Sequence, residues 1–318
     1  MTKKHIFFID SLDKLNTKKD SSLLLATTLK NRGEDVYLLF EQDFYVVNSH
    51  LPTFDMYRFD ASFVTNDYYL AHFNLAEKVN VGLSKNDVFH MRLDPPFDTR
   101  YMKYLWMQKM LQHFEVEVIN DPVGILSFNE KLHAYIQKGA LPSYVGSSTS
   151  GLKKFLSHLP THVEALIMKP VDLFQGMGVE KITRQDQDVI TMFERKVKES
   201  SGAIVVQPFL KEVAAGEIRS IYFKGVELGS ILKVPKAGEF LANIAQGASY
   251  SAITLNENVK KQCDQITKEL NAAGVPWVAF DILGEHVSEV NITCPGLLVE
   301  VSHAHNINMA EKIADLLR

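Results

Sequence analysis

The first third of the chain alternates short apolar runs with helical patterns. Four apolar runs predict strands, at Ile6–Asp10, Val36–Phe40, Val88–Met91 and Val116–Ile119. Apolar residues at helical spacing predict helices between them, over Ser21–Arg32, with Gly33 as a stop signal, and over Arg100–His113. Strands that are separated by helices predict a parallel sheet covered on both faces. Ligands of such sheets bind beyond the carboxyl ends of the strands, so Asp10 and Arg92 are candidate site residues.

The pattern changes after Asp121. A helix containing Asn129-Glu130-Lys131 is predicted first, and then strands at Ala165–Met168 and Ala203–Val206 with a helix near 187–199 between them. The remaining predicted elements are a hairpin of Ile218–Phe223 and Val226–Val234, a helix over 257–272, strands at Trp277–Leu283 and Val287–Ile292, and a closing helix. The segment Pro235–Ser251 is rich in Gly, Ala and Ser and lacks periodicity, which is typical of a mobile loop that acts as a lid.

Composition and charge exclude several classes of function. A chain of 318 residues predicts two or three lobes, and 46% hydrophobic with 23% charged residues is typical of a globular protein. The net charge of -4 gives no electrostatic footprint for nucleic acid or for an anionic membrane. The apolar run at Ile6 is too short for a signal peptide or a membrane span. Cys263 and Cys294 stand alone, so we expect a reduced, cytoplasmic protein.

The stretch MKPVDLFQGMGVEK at 168–181 is a candidate phosphate loop. Lys169 ends a buried strand, so its stem is fixed and its ammonium can reach a phosphate. Gly176 and Gly178 lack Cβ atoms, which lets backbone N–H groups approach an anion. The alternative is a tight hairpin with an incidental lysine, and the loop alone leaves both hypotheses open because short glycine patterns are weak evidence.

The stretch DILGEHVSEVN at 281–291 is a candidate metal site. A turn near Gly284 places Asp281 opposite Glu289, and Asn291 projects from the same face as Glu289. Facing carboxylates repel each other, and a divalent cation resolves the conflict. An all-oxygen set of this kind suits Mg²⁺. The alternative is a solvent-facing polar edge, but the apolar alternation on the other face of these strands favours the metal.

The two stretches support each other. A phosphate-binding lysine in one lobe and a magnesium site in another predict an ATP site between lobes. Three further basic residues, Lys131, Arg219 and Lys233, are candidates for charge compensation, although each taken singly is more often a surface residue.

Five ordered motifs resemble the ATP-grasp superfamily and, within it, the bacterial glutathione synthetases. They are Lys18-Lys19-Asp20-Ser21-Ser22, MRLDPPFDT at 91–99, Asn129-Glu130-Lys131-Leu132, Met168-Lys169-Pro170 and the Asp281/Glu289/Asn291 set. The resemblance implies a three-lobed ATP-grasp fold of α/β and α+β type. Its lobes are an N-terminal α/β substrate-binding lobe at 1–122, a central lobe with the glycine loop at 123–204, and a C-terminal lobe at 205–318 with the metal site and a lid at 235–251.

The resemblance also implies a role for each matching residue. Arg219 is the expected catalytic residue, which stabilises an acyl phosphate. ATP-binding roles are implied for Lys131, Lys169, Gln175, Gly176, Gly178, Gln207, Leu210 and Glu217. Substrate-binding roles are implied for Lys19, Asp20, Ser21, Arg92, Asp94, Lys233 and Asn243. Asp281, Glu289 and Asn291 are the implied ligands of Mg²⁺ or Mn²⁺.

The implied reaction joins γ-glutamylcysteine and glycine. ATP phosphorylates the cysteinyl carboxylate, and the amine of glycine attacks the acyl phosphate to give glutathione, ADP and phosphate. The protein supplies positioning and charge neutralisation. The implied partners are small molecules only, with no nucleic acid and no membrane, and the implied assembly is a homotetramer.

The chain departs from the family at positions that bear on the substrate. Leu173-Phe174-Gln175 intervene before the glycines, and Leu241 and Val299 stand where the family has arginines. Each lost charge-assisted contact removes roughly 1.5–3 kcal/mol from the free energy of substrate binding. A second hypothesis is therefore an ATP-grasp ligase for another peptide or amino acid. A third is an ATP-binding paralogue without turnover, which needs Arg219 and the metal set less.

Overall fold

The computed structural model describes residues 3–185, 188–239 and 241–317, and these residues form three β-sheets with helices packed around them. The first sheet has six strands in the order β4-β3-β2-β1-β5-β6. Its strands are β1 (Lys4–Ile9), β2 (Asp35–Leu39), β3 (Thr53–Phe63), β4 (Leu70–Gly82), β5 (Val88–Arg92) and β6 (Glu117–Ile119). Strands β2, β1, β5 and β6 are parallel, and the helices α1 (Ser21–Asn31) and α2 (Thr99–Gln112) connect them, which confirms the predicted α/β pattern.

The hairpin of β3 and β4 was not predicted. These two long strands pair antiparallel, and β3 adds to β2 at the edge of the parallel sheet. Strand β3 carries the signal in its sequence, because Phe54 and Met56 are buried while Asp55 and Tyr57 are more exposed, and a bulge before the buried Phe59 shifts the alternation by one residue. This alternation is the period of two that a half-buried strand requires.

The second sheet has four antiparallel strands in the order β7-β10-β8-β9. It follows two short helices, α3 (Pro122–Ser127) and α4 (Leu132–Tyr135), and consists of β7 (Tyr144–Gly146), β8 (Ala165–Pro170), β9 (Glu180–Thr183) and β10 (Ile204–Pro208), with α5 (Thr149–His158) and α6 (Val189–Glu199) against it. The prediction of a helix through Asn129-Glu130-Lys131 was wrong, because these residues lie between α3 and α4. There Asn129 Oδ1 accepts hydrogen bonds from the N–H groups of Lys131 and Leu132, at 3.1 and 3.0 Å, and so begins α4.

The third sheet has five antiparallel strands in the order β13-β12-β11-β14-β15. Its elements are β11 (Glu217–Phe223), β12 (Val226–Val234), β13 (Ser249–Ile253), α7 (Glu257–Ala272), β14 (Trp277–Leu283) and β15 (His286–Asn291), followed by α8 (Leu298–His305) and α9 (Met309–Leu316). The predicted single closing helix is therefore two helices. The predicted loop at 235–251 is irregular apart from a short 3₁₀ turn at Ile244–Gln246 and the first residues of β13, and its residue 240 lies outside the described part.

One hydrophobic core joins the first and third sheets. Leu25 of α1, Val301 of α8 and Ile313 of α9 are buried together with Phe7 of β1 and Ile231 of β12. Burial of this continuous apolar surface fixes the two sheets relative to each other. The predicted lobe limits stay a prediction. Within the described residues, no helix combines the length and the hydropathy that crossing a membrane requires.

Candidate active site

A cavity of about 530 Å³ lies where the three sheets meet. Of the site residues predicted from the sequence, all line this cavity except Gly178 and Asp10. Asp10, predicted from its position at the end of β1, does not line it. Its Oδ2 instead accepts a hydrogen bond from the Asp94 N–H at 2.8 Å, so Asp10 positions a cavity residue rather than forming the wall.

A network of ion pairs crosses the third sheet beside the cavity. Arg219 on β11 donates two hydrogen bonds to Asp281 on the neighbouring β14, from Nε to Oδ1 at 3.0 Å and from Nη2 to Oδ2 at 2.7 Å. Lys233 on β12 donates to Asp281 Oδ1 at 3.0 Å and to Glu217 Oε2 at 2.7 Å. Burial alone would lower the pKa of Lys233, but the two carboxylates raise it above its usual value.

The predicted metal ligands share one face of β14 and β15. Asp281 is paired with Glu289 in the sheet register, and Asn291 follows two residues later. Burial opposes the ionisation of Asp281, but Arg219 and Lys233 more than offset this and hold the pKa of its carboxyl well below the usual range. Asp281 therefore presents an ionised carboxylate to the site, and oxygen donors of this kind fit Mg²⁺.

The carboxylates of this set are already charge-compensated. Asp281 accepts bonds from two cations and from Asn291 Nδ2, at 3.0 Å, and Glu289 Oε1 lies 3.0 Å from Lys131 Nζ. In the described part of the chain, no group of three or more His, Cys, Asp or Glu residues could hold a metal by itself. A bound Mg²⁺ would therefore be held by these two carboxylates, by the Asn291 amide oxygen and by oxygens of a bound substrate. The basic side chains that now pair with the carboxylates would then bind the substrate instead.

Two lysines face this set, Lys169 from the second sheet and Lys131 from the residue just before α4. Lys131 Nζ also donates to the carbonyl of Leu173 at 2.6 Å. Lys169 forms no ion pair with the described residues, and its ammonium lies 5.4 Å from the centroid of the Tyr135 ring. Burial lowers the pKa of Lys169 to about 8. An anionic group in the cavity would offset the free-energy cost of burying this ammonium, so Lys169 is suited to bind a phosphate.

The glycine loop connects two antiparallel strands, β8 and β9, and its tip lines the cavity. Gln175, Gly176 and Gly178 all have positive φ, at 54°, 77° and 69°. A Cβ at Gly178 would lie 2.9 Å from Pro170, so this glycine folds back on its own strand and away from the cavity wall. The loop is thus a hairpin connection, as the alternative hypothesis held, and it also contributes backbone to the cavity.

The lid lies on the tip of this loop. A Cβ at Gly176 would be 3.1 Å from Leu241 Cδ1, and Asn243 Nδ2 donates to the Gln175 carbonyl at 3.3 Å. Leu241 therefore lines the cavity as an apolar group where the resemblance implies a cation. Val299, the other replaced arginine, is buried in the core and does not line the cavity, so that replacement affects packing rather than the wall.

The opposite end of the cavity has an apolar wall. Ile167, Leu210, Val213 and Leu283 line it. Gln207 donates from Nε2 to the Ser143 hydroxyl at 2.7 Å. Glu217, beside this wall, has its pKa raised by burial and lowered in part by Lys233. An apolar slot with a carboxylate at its edge has the character of a nucleoside site.

The residues predicted to bind substrate in the first lobe mostly bond to the protein itself. Asp20 Oδ1 accepts from the Leu23 N–H at 2.8 Å and caps α1, and Ser21 Oγ accepts from the Leu298 N–H at 3.0 Å. Arg92 donates to Ser22 Oγ at 2.9 Å and to the Pro295 carbonyl at 2.8 Å. These bonds join α1, β5 and α8, so the MRLDPPFDT motif shapes the wall as well as lining it.

Two residues with evident roles were missed in the sequence. Glu130 Oε1 accepts three hydrogen bonds, from the Ile292 N–H at 2.7 Å and from the N–H and hydroxyl of Thr293 at 2.9 and 2.8 Å. It thereby fixes the chain just after β15, and its place beside Lys131 in a family motif was the available signal. Glu300 lines the cavity from the first turn of α8, and its place directly after Val299, where the resemblance implies an Arg-Glu pair, was the available signal.

Comparison with known proteins shows the family to which the chain belongs. The family model "Prokaryotic glutathione synthetase, N-terminal domain" matches residues 4–125, and "Prokaryotic glutathione synthetase, ATP-grasp domain" matches residues 130–306. Glutathione synthetase of Nitrosomonas europaea is 28% identical over 99% of this chain and 97% of its own length. That of Neisseria meningitidis serogroup A is 26% identical over 98% and 97%.

Solved structures share the fold at low sequence identity. D-cycloserine synthetase DcsG matches with a TM-score of 0.68 and 13% identity, covering 99% of this chain and 100% of the other. The macrocyclase MdnC, bound with precursor peptide MdnA from Microcystis aeruginosa, matches with a TM-score of 0.62 and 11% identity, covering 99% of each chain. The expected ATP-grasp fold is confirmed. With two family models that together span nearly the whole sequence, the chain belongs to the prokaryotic glutathione synthetase family, and it is an ATP-grasp ligase that forms a C–N bond.

Proposed function

We propose that this enzyme joins γ-glutamylcysteine and glycine in an ATP- and Mg²⁺-dependent reaction that gives glutathione, ADP and phosphate. One observation carries the proposal: four buried or half-buried cations, Lys131, Lys169, Arg219 and Lys233, line a single cavity together with the Asp281/Glu289 pair. Such a cavity suits a polyphosphate that must be held next to a carboxylate.

The residues act by binding and orienting. Lys131 and Lys169 hold phosphate oxygens of ATP, and bound Mg²⁺ at Asp281, Glu289 and Asn291 would neutralise charge on them. Arg219, in a planar bidentate geometry, holds the substrate carboxylate and the phosphoryl group close together. The carboxylate oxygen forms a bond to the γ-phosphorus while the bond from that phosphorus to ADP breaks.

The second step makes the amide. The amine nitrogen of the acceptor attacks the acyl carbon, the C–O bond to phosphate breaks, and the nitrogen loses a proton. Water competes with the amine for the acyl phosphate. The lid, whose Leu241 and Asn243 contact the glycine loop, closes over the cavity in this proposal and excludes bulk water.

A second candidate is a ligase for a different acid or amine. The apolar side chain of Leu241 on the cavity wall, where the family has a charged one, is the observation that favours it. A non-catalytic ATP binder is a weaker candidate, because Arg219 is buried against Asp281 by two hydrogen bonds that ATP binding alone does not require.

The test is phosphate release from ATP and Mg²⁺ with γ-glutamylcysteine, with and without glycine, and identification of the product by mass. We expect release that depends on both substrates and a product with the mass of glutathione. Arg219→Lys keeps the positive charge but not the planar guanidinium that donates two parallel hydrogen bonds. This variant should therefore lose most of the turnover and retain nucleotide binding. Release with another acid or amine only, found in a screen, would replace the first candidate by the second.

Three further properties rest on the resemblance alone. We propose lobes at 1–122, 123–204 and 205–318, action in the cytoplasm, and assembly into a homo-oligomer, for which a tetramer is the expected state.

A further inference from the structure

Three carboxyl groups form what we call the acidic wall of the cavity: Asp20 and Asp94, which are half-buried, and Glu300, which is buried. They come from the N-terminus of α1, the segment after β5, and the first turn of α8. Burial raises the pKa of each, that of Asp94 to about 6. Such a wall repels phosphate and favours a positively charged group.

Glu300 differs from the other two in being almost completely buried and in having an oxygen that is both buried and without a partner. Asp20 caps α1 through Oδ1, and Cys294, beside Asp94, lowers the pKa of that carboxyl in part. The side chain of Glu300 is only 2% exposed, and its Oε1 lies 3.9 Å from Lys19 Nζ. Its Oε2 is buried and has no hydrogen-bond partner. Among the described residues that line the cavity, no other buried side-chain nitrogen or oxygen lacks a partner.

A buried carboxylate oxygen without a donor is a rare arrangement, and it calls for an explanation at a binding site. A metal ion is a poor occupant, because in the described part of the chain no set of three acidic, His or Cys side chains gathers around Glu300. An anion is repelled. A substrate ammonium supplies both the missing N–H donor and the missing charge.

The neighbours of Glu300 place that ammonium near the reacting carboxylate. Arg219, Lys19 and Asp20 are all close enough to shift the titration of Glu300. A substrate with its carboxylate at Arg219 and its amine at Glu300 would be held at two points of opposite charge. Val299, the preceding residue, is buried in the core, so α8 directs Glu300 and not Val299 to the cavity.

We propose that Glu300 binds the ammonium group of an amino-acid or peptide substrate through Oε2 and thereby restricts the ligase to substrates with a free amine. This proposal rests on the proposed function and deepens it. Both γ-glutamylcysteine and glycine carry an ammonium, so the chemistry of recognition is shared and the experiment separates the two sources.

The experiment compares wild type, Glu300→Gln, Glu300→Asp and a matched control, Glu227→Gln. Glu227 lies on β12 outside the cavity and accepts a hydrogen bond from Ser230. The first measurement is kcat/KM for γ-glutamylcysteine and for its analogue that lacks the α-amine. The second is KM for glycine.

If Glu300 binds the dipeptide amine, wild type prefers γ-glutamylcysteine over the desamino analogue by about 10- to 100-fold, and Glu300→Gln abolishes this preference. If it binds the acceptor, KM for glycine rises by a similar factor in Glu300→Gln while the dipeptide preference stays. In either case Glu300→Asp should keep part of the wild-type amine preference or glycine affinity that Glu300→Gln loses. Glu227→Gln should match wild type in both measurements. An unchanged dipeptide preference together with an unchanged KM for glycine in Glu300→Gln would overturn the proposal.

Failure of the proposed function is distinguishable from failure of this inference. If wild type forms no glutathione, the proposed function fails by itself. The same variants are then titrated by calorimetry with the amine-bearing acid or amino acid that supports phosphate release, and with its analogue lacking the amine. Glu300→Gln should bind the two equally, and a preference as large as that of wild type would refute the role of Glu300.

Discussion

Nucleotide binding should weaken above pH 8 because of Lys169. Burial lowers the pKa of this ammonium from 10.5 to about 8 in the free protein, and no carboxylate of the described residues pairs with it directly. A bound phosphate compensates the charge and raises the pKa again. Protonation is then linked to binding, so the apparent Kd should rise about twofold at pH 8 and about tenfold at pH 9 relative to pH 7.

The assay is calorimetric titration with a non-hydrolysable ATP analogue and excess Mg²⁺ at pH 7, 8 and 9. Binding is preferable to turnover, since the acceptor amine titrates in the same range. Lys169→Arg keeps a cation that does not titrate, so its Kd should be flat across this range. Lys211→Arg, the same substitution at a lysine whose side chain is 82% exposed, should retain the pH dependence of wild type.

Two results would refute the reasoning. A wild-type Kd that stays constant from pH 7 to 9 would show that Lys169 is not a depressed cation that binds phosphate. A pH dependence that persists in Lys169→Arg would assign it to another group.

Three other predictions follow from single contacts. Asn120→Ala should lower the free energy of unfolding by about 2–4 kcal/mol in urea denaturation, because its side chain donates to the carbonyls of Trp277 and Ile292 and accepts from the Trp277 N–H. Gly176→Ala should weaken binding of the ATP analogue about five- to thirtyfold, since φ is 77° and the methyl group meets Leu241. Stability should fall as pH falls from 6.5 to about 4, because burial holds the pKa of His5 at about 4 and the unfolded chain binds that proton first.

Each of these has a matched control. Asn80→Ala removes an amide that bonds to one carboxylate at the surface, so it should leave stability within about 0.5 kcal/mol. Gly202→Ala meets no atom within 4 Å, and nucleotide binding should not change. His5→Phe should reduce the loss of stability between pH 6.5 and 4, whereas His72→Gln, on the largely exposed strand β4, should not. A loss of stability between pH 6.5 and 4 that is equal in wild type and His5→Phe would contradict the assignment.

The sequence by itself determined the elements that local periodicity and turn chemistry specify. The parallel strands of the first sheet, the Lys224-Gly225 hairpin and helix α7 could all be predicted, because apolar spacing distinguishes a period of two from one of 3.6. The pairing of Asp281 with Glu289 also followed from sequence, since the two strands are joined by a short turn that sets their register.

Only the tertiary structure decided which charges meet. Arg219, Lys233 and Asp281 lie on three neighbouring strands, and Lys19 and Glu300 are separated by most of the chain. The strength of such contacts depends on burial and on distances of a few ångströms, and neither has a local signature in the sequence. For the same reason the sequence could not show that Val299 and Leu241 have different surroundings, because both are apolar residues where the resemblance implies arginines. Only the packing of α8 and the lid shows that Val299 belongs to the core and Leu241 to the cavity.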